Sequence, residues 1–313
     1  MSDLIKENFR FFSEDGREIF VYQWKAKREK LKGVIQISHG MAETAARYEC
    51  FAKELTKNGF VVYANDHRGH GKSADNINEQ GYLGEKNGFS LLIADMAKLT
   101  EEIKKIYPNL PIFLFSHSMG SFAAQEYIME YSNKIKGLIL SGSNGEQGSI
   151  LAVGKLISKI EMIIRGKKAK SQLMNKLTFG YYNDNFKSEA TGVEWLTRDL
   201  KEQKKYLENP YCGEVFPTSF YHSFFNHLQY IEDKENFHKI PKDLPIFIIS
   251  GSCDPVGDFG QGSLKLKNRY LESGVKDVSL KLYKGARHEL LNELNKKEVM
   301  TDIIQWLEKR LEK

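Results

Sequence analysis

Three residues far apart in the chain have the types and settings for nucleophilic acyl transfer: Ser118, Asp254 and His288. Ser118 sits in Phe113-Leu114-Phe115-Ser116-His117-Ser118-Met119-Gly120-Ser121, at the corner between an apolar run and a helical pattern. That is the setting of a nucleophile elbow, where a sharp turn lifts a hydroxyl out of a sheet and aims the first helical N–H groups at a developing oxyanion. A serine hydroxyl is a weak nucleophile near neutral pH, so it needs a base, and the base needs a partner that fixes its tautomer. His288 lies in Tyr283-Lys284-Gly285-Ala286-Arg287-His288-Glu289, on a loop that follows an apolar run. Asp254 lies in Ser250-Gly251-Ser252-Cys253-Asp254-Pro255, after Ile246 to Ile249, with Asp258 as the second candidate for the acid. Cys253 beside it is read as an incidental thiol.

The elbow needs small residues two before and two after the serine, and the chain supplies Ser116 and Gly120, so the motif is S-x-S-x-G where the common pattern begins with glycine. Two backbone N–H groups are expected to form the oxyanion hole. One belongs to Met119; the other belongs to Met41, in the loop Ser38-His39-Gly40-Met41-Ala42-Glu43. The segment Asp66-His67-Arg68-Gly69-His70-Gly71-Lys72-Ser73 invites a metal or phosphate reading, but a phosphate loop needs glycine at position 66 and the two histidines lack nearby partner ligands. It is read as a structural turn in which Asp66 and Arg68 brace neighbouring loops.

These residues need a frame, and the pattern provides one. Phe9 to Phe12 and Ile19 to Trp24 alternate around the turn residues Glu14-Asp15-Gly16, which predicts a hairpin. Short apolar runs then alternate with helical patterns: Val34 to Ile37, a helix around Arg47 to Lys57, Val61 to Ala64, a helix around Phe89 to Ile106, Ile112 to Phe115, a helix from Met119 to Tyr131, and Leu138 to Ser141. The rhythm resumes with Ile246 to Ile249, a helix around Ser263 to Leu271, Val278 to Tyr283 and a closing helix from Lys297 to Leu311. Strands alternating with helices predict a mostly parallel sheet with helices on both faces, and sites in such sheets form at the C-terminal ends of the strands. The chain order serine, acid, histidine is that of the α/β-hydrolase fold. Residues 1–143 and 231–313 are expected to form this core and residues 144–230, where the rhythm breaks, an inserted helical lid.

Composition sets the outer bounds. The chain has 313 residues, 41% hydrophobic and 28% charged, which is enough for one large core. A net charge of +5 mixed with 41 acidic residues argues against a nucleic-acid partner. Cys50, Cys212 and Cys253 have no pairing or metal-type spacing, which fits a reducing compartment. The first twenty residues lack an apolar signal core, and no run is long enough to span a membrane, so a cytoplasmic location is expected, with any membrane contact peripheral. Composition sets no oligomeric state.

Taken together, the motifs resemble the monoacylglycerol lipase and lysophospholipase branch of the α/β hydrolases, the serine-aminopeptidase-like group. The resemblance rests on His39-Gly40-Met41-Ala42-Glu43 with Arg47-Tyr48, on Asp66 to Ser73, on Ser116-His117-Ser118-Met119-Gly120, on Gly251-Ser252-Cys253-Asp254 and on Gly285-Ala286-Arg287-His288-Glu289. Trp195-Leu196-Thr197-Arg198-Asp199 also looks like a family element, whereas the rest of the lid matches poorly. The resemblance implies hydrolysis of a carboxylic ester through an acyl-enzyme, without cofactor or metal. The expected substrate is a single-chain lipid ester, a lysophospholipid or a monoacylglycerol. The alternatives are a peptidase or amidase on the same triad and a catalytically silent binding module.

Within the lid, Val153, Leu156, Ile157, Ile160, Ile163 and Ile164 share one helical face, with Lys155, Lys159 and Arg165 away from it. Between Ile150 and Lys176 the basic residues meet a single acid, Glu161. One reading is a helix that docks on an anionic membrane surface. The other is a lid helix whose apolar face packs on the core.

Overall fold

A computed structural model describes residues 4–27, 30–148, 150–186 and 191–311. Two antiparallel strands, β1 (Leu4–Phe12) and β2 (Glu18–Ala26), form the expected hairpin, with Phe9 opposite Val21. They lead into β3 (Gly33–Ser38), α1 (Glu49–Lys57), β4 (Phe60–Asn65), α2 (Gly88–Ile106), β5 (Ile112–His117), α3 (Met119–Glu130) and β6 (Gly137–Ser141). The helix expected from Arg47 divides: Ala45–Tyr48 is a 3-10 turn, opened by the Thr44 side chain, and α1 begins at Glu49.

After β6 the chain leaves the sheet for α4 (Ile150–Arg165), α5 (Gln172–Phe179), α6 (Leu200–Glu208), α7 (Thr218–Glu232) and α8 (Lys234–His238). It returns as β7 (Ile246–Gly251), α9 (Gln261–Glu272), β8 (Val278–Tyr283) and α10 (Lys296–Leu311). The eight strands lie in the order β1-β2-β4-β3-β5-β6-β7-β8, and every pair from β4 to β8 is parallel.

The parallel strands are apolar on both faces because helices cover both. Val34, Leu114, Leu138 and Ile248 pack toward α2, α3 and α9, while Ile35, Phe113, Ile139 and Phe247 pack toward α1 and α10. Phe220, Tyr221 and Phe224 of α7 join the first of these clusters, so part of the insertion is built into the core. Register brings the loops of the site together: Ser38 is level with Ser116, and His117 with Ser141, so β3, β5 and β6 end side by side.

The sequence left open which way α4 faces. It packs on α7, where Lys155 Nζ donates to Gln229 Oε1 at 2.8 Å; Leu151, Ser158 and Glu161 are buried, whereas Ile150, Val153, Leu156, Ile160, Ile163 and Ile164 are exposed. Ile163 and Ile164 are 71% and 77% exposed. Most of the expected apolar face therefore meets solvent, while Ile157 of that face packs against the core beside Leu151.

Candidate active site

Ser118 occupies the turn between β5 and α3 with φ 51° and ψ −122°, a strained conformation for a residue with a side chain. Its N–H donates to the Ser141 carbonyl at 2.9 Å, and its own carbonyl accepts from the N–H groups of Ser121 and Phe122. Gly120 is required here, because a Cβ on it would lie 2.4 Å from the Ser38 carbonyl oxygen and 2.5 Å from that of His39. Ser116 fills the other small position: it is fully buried, and its Oγ has no hydrogen-bond partner among the described residues. Met119 is the first residue of α3, so its N–H has no carbonyl one turn back to bond.

The loop after β3 lies against this turn, and a Cβ built on Gly40 would be 3.2 Å from that of Ser118. The Gly40 N–H donates to Glu43 Oε1 at 2.6 Å, and Tyr48 Oη donates to the same oxygen at 2.9 Å. Met41 and Ser118 line one cavity of about 180 Å³, together with His288, Phe179, Trp195 and Tyr206.

At the ends of β7 and β8, His288 Nδ1 is 3.0 Å from each carboxylate oxygen of Asp254. Both residues are closed off from solvent. Asp254 Oδ1 also accepts the N–H of Val256 at 2.9 Å. Asp258, the second candidate for the acid, is exposed and lies 3.9 Å from Lys265. Burial of the imidazole pulls its pKa down, but the charge and hydrogen bonds of Asp254 outweigh this, and the result lies above the ordinary histidine value. Nε2 of His288 has no hydrogen-bond partner among the described residues. The structure thus joins Asp254 to His288 and sets Ser118 on the same cavity, without a hydrogen bond between serine and imidazole. Catalytic contacts of this kind are often loose before substrate binds.

Several neighbours carry no role in the sequence reading. The His117 ring lies 4.6 Å from that of His288, and burial followed by the nearby His288 pushes its pKa down to about 4. Trp195 covers His288 from the insertion, with ring centroids 5.1 Å apart, and its carbonyl accepts the His288 N–H at 3.3 Å. Arg47 joins Glu43, at 2.7 Å, to Glu289, at 2.6 Å through both guanidinium nitrogens. Burial alone would raise the Glu289 pKa, but Arg47 overrides it and holds the carboxyl at about 2. In sequence these residues belong to separate motifs, and only the pairing of two loops 242 residues apart shows their contact.

The 66–73 turn is built as a brace. Asp66 accepts from Thr44 Oγ1 and from the N–H groups of Ala45 and Lys72 at 2.7–2.8 Å, tying the turn to the exit of the Met41 loop. Arg68 is fully buried, with Nε 2.7 Å from Asp95 and a terminal nitrogen 3.0 Å from Asp15. His39, His67 and His70 pack ring against ring, and their burial carries His39 to about 4 and His70 to about 3.

Comparison with known proteins identifies the family. The family model described as serine aminopeptidase, S33, matches residues 29–295. The monoglyceride lipase of Homo sapiens is 27% identical over 300 residues, covering 95% of this chain and 88% of that protein. The monoacylglycerol lipase of Mycolicibacterium smegmatis is 26% identical over 283 residues and covers 88% of each. Among solved structures, a highly thermostable carboxyl esterase from Bacillus coagulans, in complex with glycerol, superposes with a TM-score of 0.90 at 27% identity over 98% of this chain and 99% of that one. With a mostly parallel eight-stranded sheet and a family match over residues 29–295, the chain belongs to the serine aminopeptidase S33 family and has the α/β-hydrolase fold.

Proposed function

We propose that the protein hydrolyses carboxylic esters of single-chain lipids, monoacylglycerols or lysophospholipids, through an acyl-enzyme formed on Ser118. The observation that carries this reading is the contact of His288 with both oxygens of Asp254 beside a cavity shared with Ser118. Ser118 Oγ attacks the ester carbonyl while His288 Nε2 takes its proton. Asp254 keeps the imidazole in the tautomer that bears hydrogen on Nδ1 and stabilises the imidazolium as it forms. The N–H groups of Met41 and Met119 receive the oxyanion. The proton then passes to the leaving alcohol, and water, activated by the same histidine, releases the acid.

The cavity lining favours an acyl group: Met41, Phe179, Val193, Trp195 and Leu196 are apolar. The carboxylates there are paired already, Glu43 and Glu289 with Arg47 and Glu214 with Lys170. One arginine shared by two carboxylates leaves a single negative charge, so it is the apolar lining that favours the ester over the peptidase reading. The names of the relatives, monoglyceride and monoacylglycerol lipases, support the lipid class.

Residues 144–230 act as the cap of the site in this reading, and α4 is its contact with lipid. The exposed isoleucines supply that contact. Charge contributes less than the sequence suggests, because Lys167, Lys168 and Lys170 face Glu85, Glu79 and Glu214. No helix of the described residues is long and apolar enough to cross a membrane. Three unpaired cysteines fit a cytoplasmic protein, and the exposed isoleucines of α4 would be its contact with a membrane surface.

The test is labelling by a fluorophosphonate probe in wild type and Ser118→Ala, followed by a panel of monoacylglycerols, lysophospholipids and peptide amides. Labelling of the wild type alone, with turnover of the lipid esters, is expected. A folded wild type that neither labels nor turns over any ester would leave a silent binding module as the better reading.

A further inference from the structure

We propose that Tyr206 is a positioning residue for the oxyanion loop, acting through the carbonyl of Ala42. The inference rests on the ester-hydrolase reading above. Ala42 follows Met41, whose N–H is half of the oxyanion hole, and it has φ 53°. An alanine enters that left-handed region only against steric opposition and stays there when its surroundings over-determine it.

Those surroundings come from the cap. Tyr206 Oη donates to the Ala42 carbonyl at 3.2 Å, and the Gly213 N–H donates to the same oxygen at 3.0 Å. On the other side of Met41, the Gly40 N–H is held by Glu43 at 2.6 Å. Both ends of the short Gly40–Glu43 segment are thus tied, which fixes the direction of the Met41 N–H between them. A cap residue 164 positions away therefore shapes half of the oxyanion hole without touching the reacting atoms.

Tyr206 is anchored independently of its hydroxyl. It is buried, and its ring lies 4.9 Å from the Arg47 guanidinium carbon. Phenylalanine keeps both features, so Tyr206→Phe removes the donor alone.

The experiment measures kcat and KM on a soluble ester for wild type, Tyr206→Phe, Ala42→Gly and the double variant. Tyr206→Phe is expected to lower kcat about 3- to 10-fold with KM within about twofold, the size of one neutral hydrogen bond. In the Ala42→Gly background glycine takes the left-handed backbone unopposed, and the same hydroxyl deletion is expected to lower kcat less than about twofold. An equal loss in both backgrounds would mean that Tyr206 acts on substrate directly or on general stability, and the proposal falls. No loss in Tyr206→Phe also overturns it. Amide hydrogen exchange over Met41–Glu43 without substrate gives a second readout: faster exchange in Tyr206→Phe supports the clamp, and unchanged exchange refutes it. A wild type that hydrolyses no ester would instead sink the activity reading, a result separable from either variant's behaviour.

Discussion

The Nδ1 atom of His288 is held at 3.0 Å by both oxygens of Asp254, and both residues are buried. That contact sets both the tautomer of the imidazole and its affinity for a proton, since the aspartate outweighs the burial that would otherwise depress it.

Asp254→Asn tests this directly. A general base works deprotonated, so activity rises with pH through the His288 pKa, and a raised pKa puts the acid limb of kcat/KM above the ordinary histidine value of 6.5. The amide removes the main charge that raised it and leaves burial opposed only by Glu289 and Glu43. The limb should move to lower pH, and kcat should fall about 10³- to 10⁴-fold, as for the corresponding change in other serine triads. A limb that stays in place would show that Asp254 does not govern the imidazole.

Gly142→Ala probes the packing behind the base. At φ 59° this residue sits where a Cβ would come 2.8 Å from His288 Cε1 and 2.9 Å from Nδ1. The added methyl must displace the ring, and misplacement on the order of 1 Å can cost about 100-fold in rate. The expected result is a folded protein with kcat reduced at least tenfold, checked by circular dichroism and ester assay together.

Arg68→Met separates scaffold from chemistry. It strands Asp95, which is buried beside the guanidinium. Removing one partner of such a pair typically costs about 3–5 kcal/mol, which urea denaturation would detect. Adding Asp95→Asn should recover part of the loss, and a single variant as stable as wild type would show that the pair is not holding the turn.

On α4, Ile163→Asp combined with Ile164→Asp addresses the surface contact. Both side chains are exposed, so stability should change little, whereas co-sedimentation with phosphatidylcholine vesicles should drop at least tenfold. Turnover of a soluble ester should remain within about twofold. Equal vesicle binding by the variant would place lipid contact elsewhere.

The sequence makes the frame readable because each parallel strand is apolar throughout and each helix repeats with its own period, so β3 to β6 and β7 to α10 lie close to where the pattern predicts them. Ser118, Asp254 and His288 stand at strand ends in that frame, where chain order alone assigns them roles. What stays hidden depends on contacts between distant segments. Periodicity shows that α4 has an apolar face but not that the face points outward, because the same stripe serves a core or a lipid surface. Arg47, Glu43 and Glu289 stand in recognisable motifs, but that they pair with one another shows only once the fold closes two loops over them. The contact of His117 with His288 likewise arises from the end of β5 and the loop after β8 meeting at the C-terminal edge of the sheet, which no local pattern encodes.

The exposed face of α4 has a thermodynamic side. Apolar groups that already meet water in the native chain add nothing to the heat capacity of unfolding, and little to the denaturant sensitivity that scales with newly exposed area. Most of the isoleucines on this helix are of that kind. Unfolding of α4 is therefore expected to add less to the m-value and heat-capacity change than a helix of equal length buried between sheet and solvent.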